Sequence, residues 1–243
     1  MKHLMLLLII LLCAPLSYGQ FSDSTHYLIY YGTTGVMNKT NTSKSFVITN
    51  GARFSIRKQS IALNSSGNCI YGEQQGRRTN NDLTTTLDFN LYKTFKNFYY
   101  WGLGNFDKSF SLKVNKRWQA GLGAAYSFID TEKAFLNLSD GILYESSDVT
   151  VHDSTRSRYH TFRNSLRLRY RFVIQQKVVL DGTHFWQPSL QYKDDSIIKS
   201  ASSLSLMLNR WLNLTTALTY NRVTRTEKEN LLLTFGLTVE KYF

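Results

Sequence analysis

The chain has 243 residues, with 29 Lys+Arg against 17 Asp+Glu and a formal charge of +12. Only 19% of residues are charged, while 15 Tyr, 15 Phe and 4 Trp make the chain rich in aromatics, so a disordered polymer is excluded. Two cysteines exclude a disulfide scaffold, and the length suits one or two domains or a single large all-β barrel.

The first twenty residues read as a targeting segment. Lys2 and His3 form a short positive region, Leu4 to Leu12 is unbroken apolar chain, and Pro15 ends it. Ser17 and Gly19 put small residues at −3 and −1 of a cut before Gln20. That pattern predicts a cleaved secretory signal over residues 1–19, and the apolar run is too short for a bilayer span. Acylation of Cys13 needs a small residue before it, and Leu12 stands there. With the signal removed, Cys69 is the one remaining cysteine and reads as a small strand residue. No later stretch of 18 apolar residues exists, so no helical span is expected after it.

From there to the end the sequence alternates. Phe46, Ile48, Ala52, Phe54 and Ile56 oppose Ser45, Thr49, Arg53, Ser55 and Arg57. Further on, Leu83, Leu87, Phe89 and Leu91 oppose Thr84, Thr86, Asp88 and Asn90. Phe162, Leu166, Leu168, Tyr170 and Phe172 oppose Arg163, Arg167, Arg169 and Arg171. Leu204, Leu206 and Leu208 oppose Ser203, Ser205 and Asn209, and Leu212, Leu214, Leu218 and Tyr220 oppose Asn213, Thr215, Ala217, Thr219 and Asn221. In the last segment Leu231, Leu233, Phe235, Leu237, Val239, Lys241 and Phe243 share one parity, and Thr234, Gly236, Thr238, Glu240 and Tyr242 the other. Period two is the signature of a strand with one apolar face.

About twelve such segments follow one another: 25–38, 43–57, 59–74, 81–95, 97–106, 110–129, 133–146, 156–174, 177–192, 196–209, 211–224 and 229–243. Tight connections at Arg57-Lys58-Gln59, Lys96, Asp130-Thr131-Glu132, Gln175-Gln176 and Arg210 alternate with longer polar loops at Asn38–Thr42, Gln75–Asn80, Ser147–Thr155 and Arg225–Lys228. An even strand count then brings both termini to the end with the tight turns. This predicts one all-β domain over residues 20–243, a closed antiparallel transmembrane β-barrel in a bacterial outer membrane. In hydrocarbon every backbone N–H and C=O needs a partner, and a closed antiparallel barrel provides one with no edge. A soluble sandwich gives the same alternation with its faces exchanged. The segments, however, exceed the five or six residues usual for a strand. The aromatics are numerous enough for two interfacial girdles. The chain also closes on an alternating strand with a terminal aromatic, so Phe235, Leu237, Val239, Tyr242 and Phe243 are expected to form the insertion signal.

Several stretches together resemble a known family. They are Gly32-Thr33-Thr34-Gly35-Val36-Met37-Asn38, in which Val36-Met37 interrupts a Gly-Asn step, then Gly72-Glu73-Gln74-Gln75-Gly76 and Asn80-Asn81-Asp82. Next come Gly104-Asn105-Phe106-Asp107-Lys108-Ser109-Phe110, Ala120-Gly121-Leu122-Gly123-Ala124-Ala125-Tyr126, Trp186-Gln187-Pro188-Ser189-Leu190 and the ending Gly236 to Phe243. In this order they resemble the YdiY-like family of salt-induced outer-membrane proteins, a domain of unknown function. Glu229-Asn230 departs from it, standing where an Asp-Thr pair is expected. The resemblance implies a barrel and an outer-membrane location, with no established chemistry.

The parity predicts a lumen lined by Arg53, Arg57, Asp82, Asp88, Arg163, Arg167, Arg169, Arg171, Asp181 and Glu240. Like charges two residues apart repel, so the arginine row needs counter-charges, for which Asp181 and Glu145 on adjacent strands are candidates. Either the row forms an anion-selecting constriction or it belongs to an ion-pair lattice that fills the barrel. His152-Asp153-Ser154 offers a His and a Ser two residues apart, as a lipid hydrolase would. It lies in a polar loop, however, and Thr155-Arg156 follows where such enzymes carry Asn, so no enzyme is expected. His184, beside Phe185 and Trp186, reads as an interface residue. Pro188 predicts a bulge or strand end. Asp140 falls on the lipid parity, which predicts a bulge at Gly141 that turns it inward, or an interfacial position. No Cys/His cluster has metal spacing and no phosphate loop occurs, so no metal or cofactor is expected. The expected partners are outer-membrane lipid, lipopolysaccharide (through Arg77, Arg78, Arg156 and Arg158) and the barrel-assembly machinery. Nucleic acid is not among them, because the positive charge is spread over an exported chain. A barrel binding through its loops is the third functional class, and the short loops weigh against it.

Overall fold

The computed structural model describes residues 26–95, 97–131, 133–151 and 155–242. The expected signal over 1–19 with Cys13, Glu132, the His152-Asp153-Ser154 triplet and Phe243 lie outside the described residues. Thirteen extended segments occur, and two are halves of one strand. The strands are β1 (Tyr27–Lys39), β2 (Lys44–Lys58), β3 (Ile61–Gln74), β4 (Arg77–Phe95), β5 (Phe98–Ser109), β6 (Val114–Asp130) and β7 (Ala134–Val151). There follow β8 (Thr155–Asn164 and Leu166–Ile174), β9 (Val178–Pro188), β10 (Ser196–Met207), β11 (Leu212–Val223) and β12 (Lys228–Tyr242). Ser165 divides β8 without shifting its register. Ile142 faces Asn164 on one side of it and Ser139 faces Arg167 on the other. On the other flank Pro188 ends β9, and with no N–H it has nothing to donate to β8.

Every strand pairs antiparallel with its sequence neighbours, and β1 pairs with β12 from Leu28↔Tyr242 to Gly35↔Phe235. The sheet is therefore a closed cylinder of twelve strands with no free edge, the solution that hydrocarbon demands. Gly236 lies on this closing seam. A Cβ there would come within 2.0 Å of the Thr33 carbonyl oxygen and 2.5 Å of Thr34 Cα, so only hydrogen fits.

The apolar parity faces out. Leu214, Leu218, Leu231, Leu233, Phe235 and Leu237 are all exposed, as are Ile48, Phe54, Leu87, Phe89 and Leu122, the last at 73%. The opposite parity is buried and mostly polar: Ser55, Asp88, Asn90, Asn105, Asp107, Gln119, Glu145, Thr161, Arg163, Thr215, Thr234 and Thr238. This is the inverse of a soluble sandwich, whose leucine rows would meet in a dry core. Outward aromatics gather in two belts, one with Phe98–Tyr100 and Tyr126–Phe128 contacts and one with Phe106–Trp118 and Tyr144–Phe162 contacts. Tyr126 and Trp118 are eight residues apart on β6. At strand rise and usual barrel tilt this is about 20 Å along the axis, close to a lipid-facing band of about 25 Å.

Three expectations are corrected. Two of the loops expected at the end opposite the termini are shorter than the sequence implies. The expected loop at Gln75–Asn80 is a two-residue turn at Gln75-Gly76, where both residues have positive φ, and β4 begins at Arg77. Within the expected loop at Ser147–Thr155, strand β7 runs on to Val151 and β8 already begins at Thr155, because polar residues that look like loop in sequence continue both strands beyond the apolar band. Arg77, Arg78, Arg156 and Arg158 therefore stand on strand ends, and Arg156 and Arg158 both bind Asp148. The longest connection, Ser189–Asp195, lies where a strand was expected to run on to 192. Finally, no bulge forms at Gly141. Gly141 pairs Gly123 in unbroken register, and Asp140 faces outward between Leu138 and Ile142, its Oδ1 accepting from Asn164 Nδ2 at 2.7 Å. Close packing explains why both positions are glycine. A Cβ on Gly123 or Gly141 would fall 2.5 Å from the Trp101 ring and still closer to the facing carbonyl.

Gly236→Val is expected to prevent closure of the seam. In detergent the wild type should migrate faster unheated than boiled, and the variant should show only the boiled mobility.

Candidate functional site

The alternation that sends leucines outward sends a polar set into the bore, and the chemistry lies there. Toward the end away from the termini, the bore is packed around Glu145 and Arg163, both 0% exposed. Arg163 Nε donates to Glu145 Oε2 at 2.7 Å and Nη2 donates to Oε1 at 3.1 Å. The same carboxylate accepts from Gln119 Nε2, Ser147 Oγ and Tyr159 Oη, each at 2.8 Å. Arg117 stands 3.6 Å away. The remaining donors of Arg163 reach Asp195 Oδ1 at 3.0 Å and the carbonyls of Gln187 and Asp195. Asp195 thereby holds the end of the Ser189–Asp195 connection inside the mouth. Arg225 binds the same carboxylate at 2.8 Å and lies 3.9 Å from the centre of the Tyr159 ring. Val114, Val149, Tyr159 and Val223 make an apolar cap there, joining β11 to β6, β7 and β8.

Further in, ion pairs cross the bore. Arg167 on β8 meets Asp88 on β4 at 3.1 Å, and Lys199 on β10 meets Asp107 on β5 at 2.6 Å. Trp101 lies against the Gly123–Gly141 platform and donates to the Ala124 carbonyl. Asp82 serves the β5–β6 turn, accepting from the Ser109 and Ser111 hydroxyls and the Ser111 N–H.

Toward the end with the termini the bore opens into a cavity of about 650 Å³. Of the residues expected in the lumen, Arg53, Arg57, Arg169, Arg171, Asp181 and Glu240 line it, while Asp82, Asp88, Arg163 and Arg167 belong to the packed part. Arg171 bridges Glu240 at 3.1 Å and Asp181 at 3.8 Å. Phe235 and Leu237 of the expected insertion signal face outward, exposed, with Val239 on the same parity. His184 also faces outward, bonded through Nδ1 to Ser200 Oγ at 2.7 Å. Among the described residues no group of three or more His, Cys, Asp or Glu could hold a metal ion.

Sequence reasoning missed Asp107, Arg117, Gln119, Gln187, Asp195, Lys199 and Arg225. Arg117, Gln119, Gln187 and Lys199 share the inward parity of their strands, so extending the alternation would have found them. Asp107 lies one residue beyond the expected end of its segment. Asp195 and Arg225 stand in connections, where period two carries no information.

A closed twelve-stranded antiparallel barrel, apolar outside and crossed by buried ion pairs within, is a β-barrel of the outer-membrane type. Its backbone is similar to that of the NanC porin (TM-score 0.55, 9% identity, 86% of this chain and 98% of that one). It is also similar to an outer membrane channel from Pseudomonas putida F1 (TM-score 0.51, 16% identity, 95% and 99%). No curated protein matches the sequence. The chain belongs to the family described as "Protein of unknown function, DUF481", which matches residues 33–240.

Arg163→Ala leaves Glu145 and Asp195 buried without their main partner, and such a loss costs about 3–5 kcal/mol. Replacing Glu145 and Arg163 together by Gln and Met should cost clearly less. Urea titration of the barrel in lipid vesicles checks the order.

Proposed function

We propose that the protein is an integral outer-membrane barrel without enzymatic activity, sealed at the end away from its termini, with that end outside the cell. The sealed bore carries this reading. Arg163, fully buried, ties strands β7, β8 and β9 to the inward connection at Asp195, directly beneath an apolar cap. Solutes crossing the bore would have to displace a buried network of ion pairs, and breaking buried pairs of this kind is costly. The exposed leucine rows and two aromatic belts support insertion in a bilayer. The similarity to porin-type barrels supports the location. Outer-membrane lipid is then the principal partner, with lipopolysaccharide phosphates near the exposed Arg156 and Arg158. The barrel-assembly machinery inserts the chain through its last strand. The stretches that resemble YdiY-like salt-induced outer-membrane proteins support the same location.

Purified protein reconstituted into planar bilayers should show no conductance above the bare membrane. Asp195→Ala, which releases the inward connection from Arg163 and Arg225, should produce intermittent openings. A steady wild-type channel would contradict the sealed bore.

A further inference from the structure

We propose that the cavity at the terminal end is a binding site for a small hydroxylated oxyanion, such as a sugar phosphate or sugar acid. Arg53, Ser55 and Arg57 follow one another on the inward parity of β2, and all three line the cavity. Across from them stands Arg169 of β8. Among the described residues none of these three arginines makes an ion pair. Each lies over a ring, Arg53 over Tyr30 at 5.6 Å, Arg57 over Tyr92 at 4.8 Å and Arg169 over Phe135 at 5.8 Å. A ring face occupies no N–H of a guanidinium, so a cation held in this way keeps donors available to a planar or tetrahedral oxyanion. The contrast with the rest of the bore is informative: Arg163, Arg167, Arg171 and Lys199 all have carboxylates.

The second observation is independent of charge. Ser55 is 1% exposed, yet its Oγ has no hydrogen-bond partner, and neither has Arg210 Nε on the same wall. Buried polar atoms are nearly always paired, so unpaired ones in a cavity wall point to a ligand that pairs them. Asn64, Ser203, Ser205 and Asn213 add neutral hydrogen-bonding groups that suit hydroxyls. Of the carboxylates in the wall, Asp181 and Glu240 are held by Arg171, and Asp130 stands near the turn at the mouth. The cavity reaches that end through Thr131, Arg210 and Trp211, and the Arg167–Asp88 pair lies beyond Asn90 at its depth. Entry is therefore from the end with the termini. This site does not depend on the bore being sealed, because binding is read in detergent and conductance is not.

The test is calorimetric titration of the detergent-purified full barrel with inorganic phosphate, gluconate and glucose. Saturable binding of phosphate or gluconate, with glucose at least roughly tenfold weaker, is expected. Arg53→Gln with Arg57→Gln should weaken the anion at least roughly tenfold while keeping the heat-modifiable gel mobility of the wild type. Lys108→Gln, an exposed control, should bind as the wild type does. Binding of phosphate alone points to a phosphorylated ligand, of gluconate alone to a carboxylated one, and of both to a general oxyanion site. Saturation by neither anion, equal binding of glucose, or unchanged affinity in the double variant overturns the proposal. Arg57→Lys, which keeps the charge, covers the case in which the double variant does not fold.

Discussion

The absence of water from hydrocarbon governs everything else in this molecule. A backbone amide left unpaired in a bilayer costs several kcal/mol, so the sheet must close, and closure through β1 and β12 removes every edge. Once closed, the period of two divides the side chains into those that meet lipid and those that meet one another. The outward set can be apolar at no cost. The inward set has to satisfy its charges at close quarters, and the Glu145–Arg163–Asp195 cluster shows how: one carboxylate receives five donors, and one guanidinium spends its donors on two carboxylates and two carbonyls.

Alternation is a local property, and it made the strands, their faces and the inward direction of the arginine row legible in the sequence. Pairing across the bore is not local. Nothing in the spacing of Arg167 and Asp88, 79 residues apart, shows that they meet. Their contact depends on the number of strands between them and on the register of each pair. The connections were the least legible part. Arg77, Arg78 and Asp148 are as polar as loop residues because those strand ends project past the apolar band, so polarity marked the edge of the membrane there and not the end of a strand.

Asp140 illustrates a conflict between two local rules. Its charge argues for a bulge that turns it inward, whereas its parity argues for the outer face. Parity prevails: the register is unbroken at Gly141, where two glycines let the backbones of β6 and β7 and the Trp101 ring approach closely. Asn164 on β8 then supplies the carboxylate with a donor on the outer face. The interior is also uneven along its length. One half is crossed by buried ion pairs, while the other, among the described residues, keeps three cations over rings without a carboxylate and a buried hydroxyl with no partner. A barrel needing only rigidity would have little use for that second half, and it is where ligand chemistry belongs.

The orientation of the two faces is open to direct measurement. With Cys69 replaced by Ser, single cysteines at positions 217 to 220 can carry a small fluorophore in vesicles containing brominated lipid. Strong quenching at 218 and 220 with weak quenching at 217 and 219 is what the barrel predicts. Equal quenching at all four, or the reversed alternation, would contradict it.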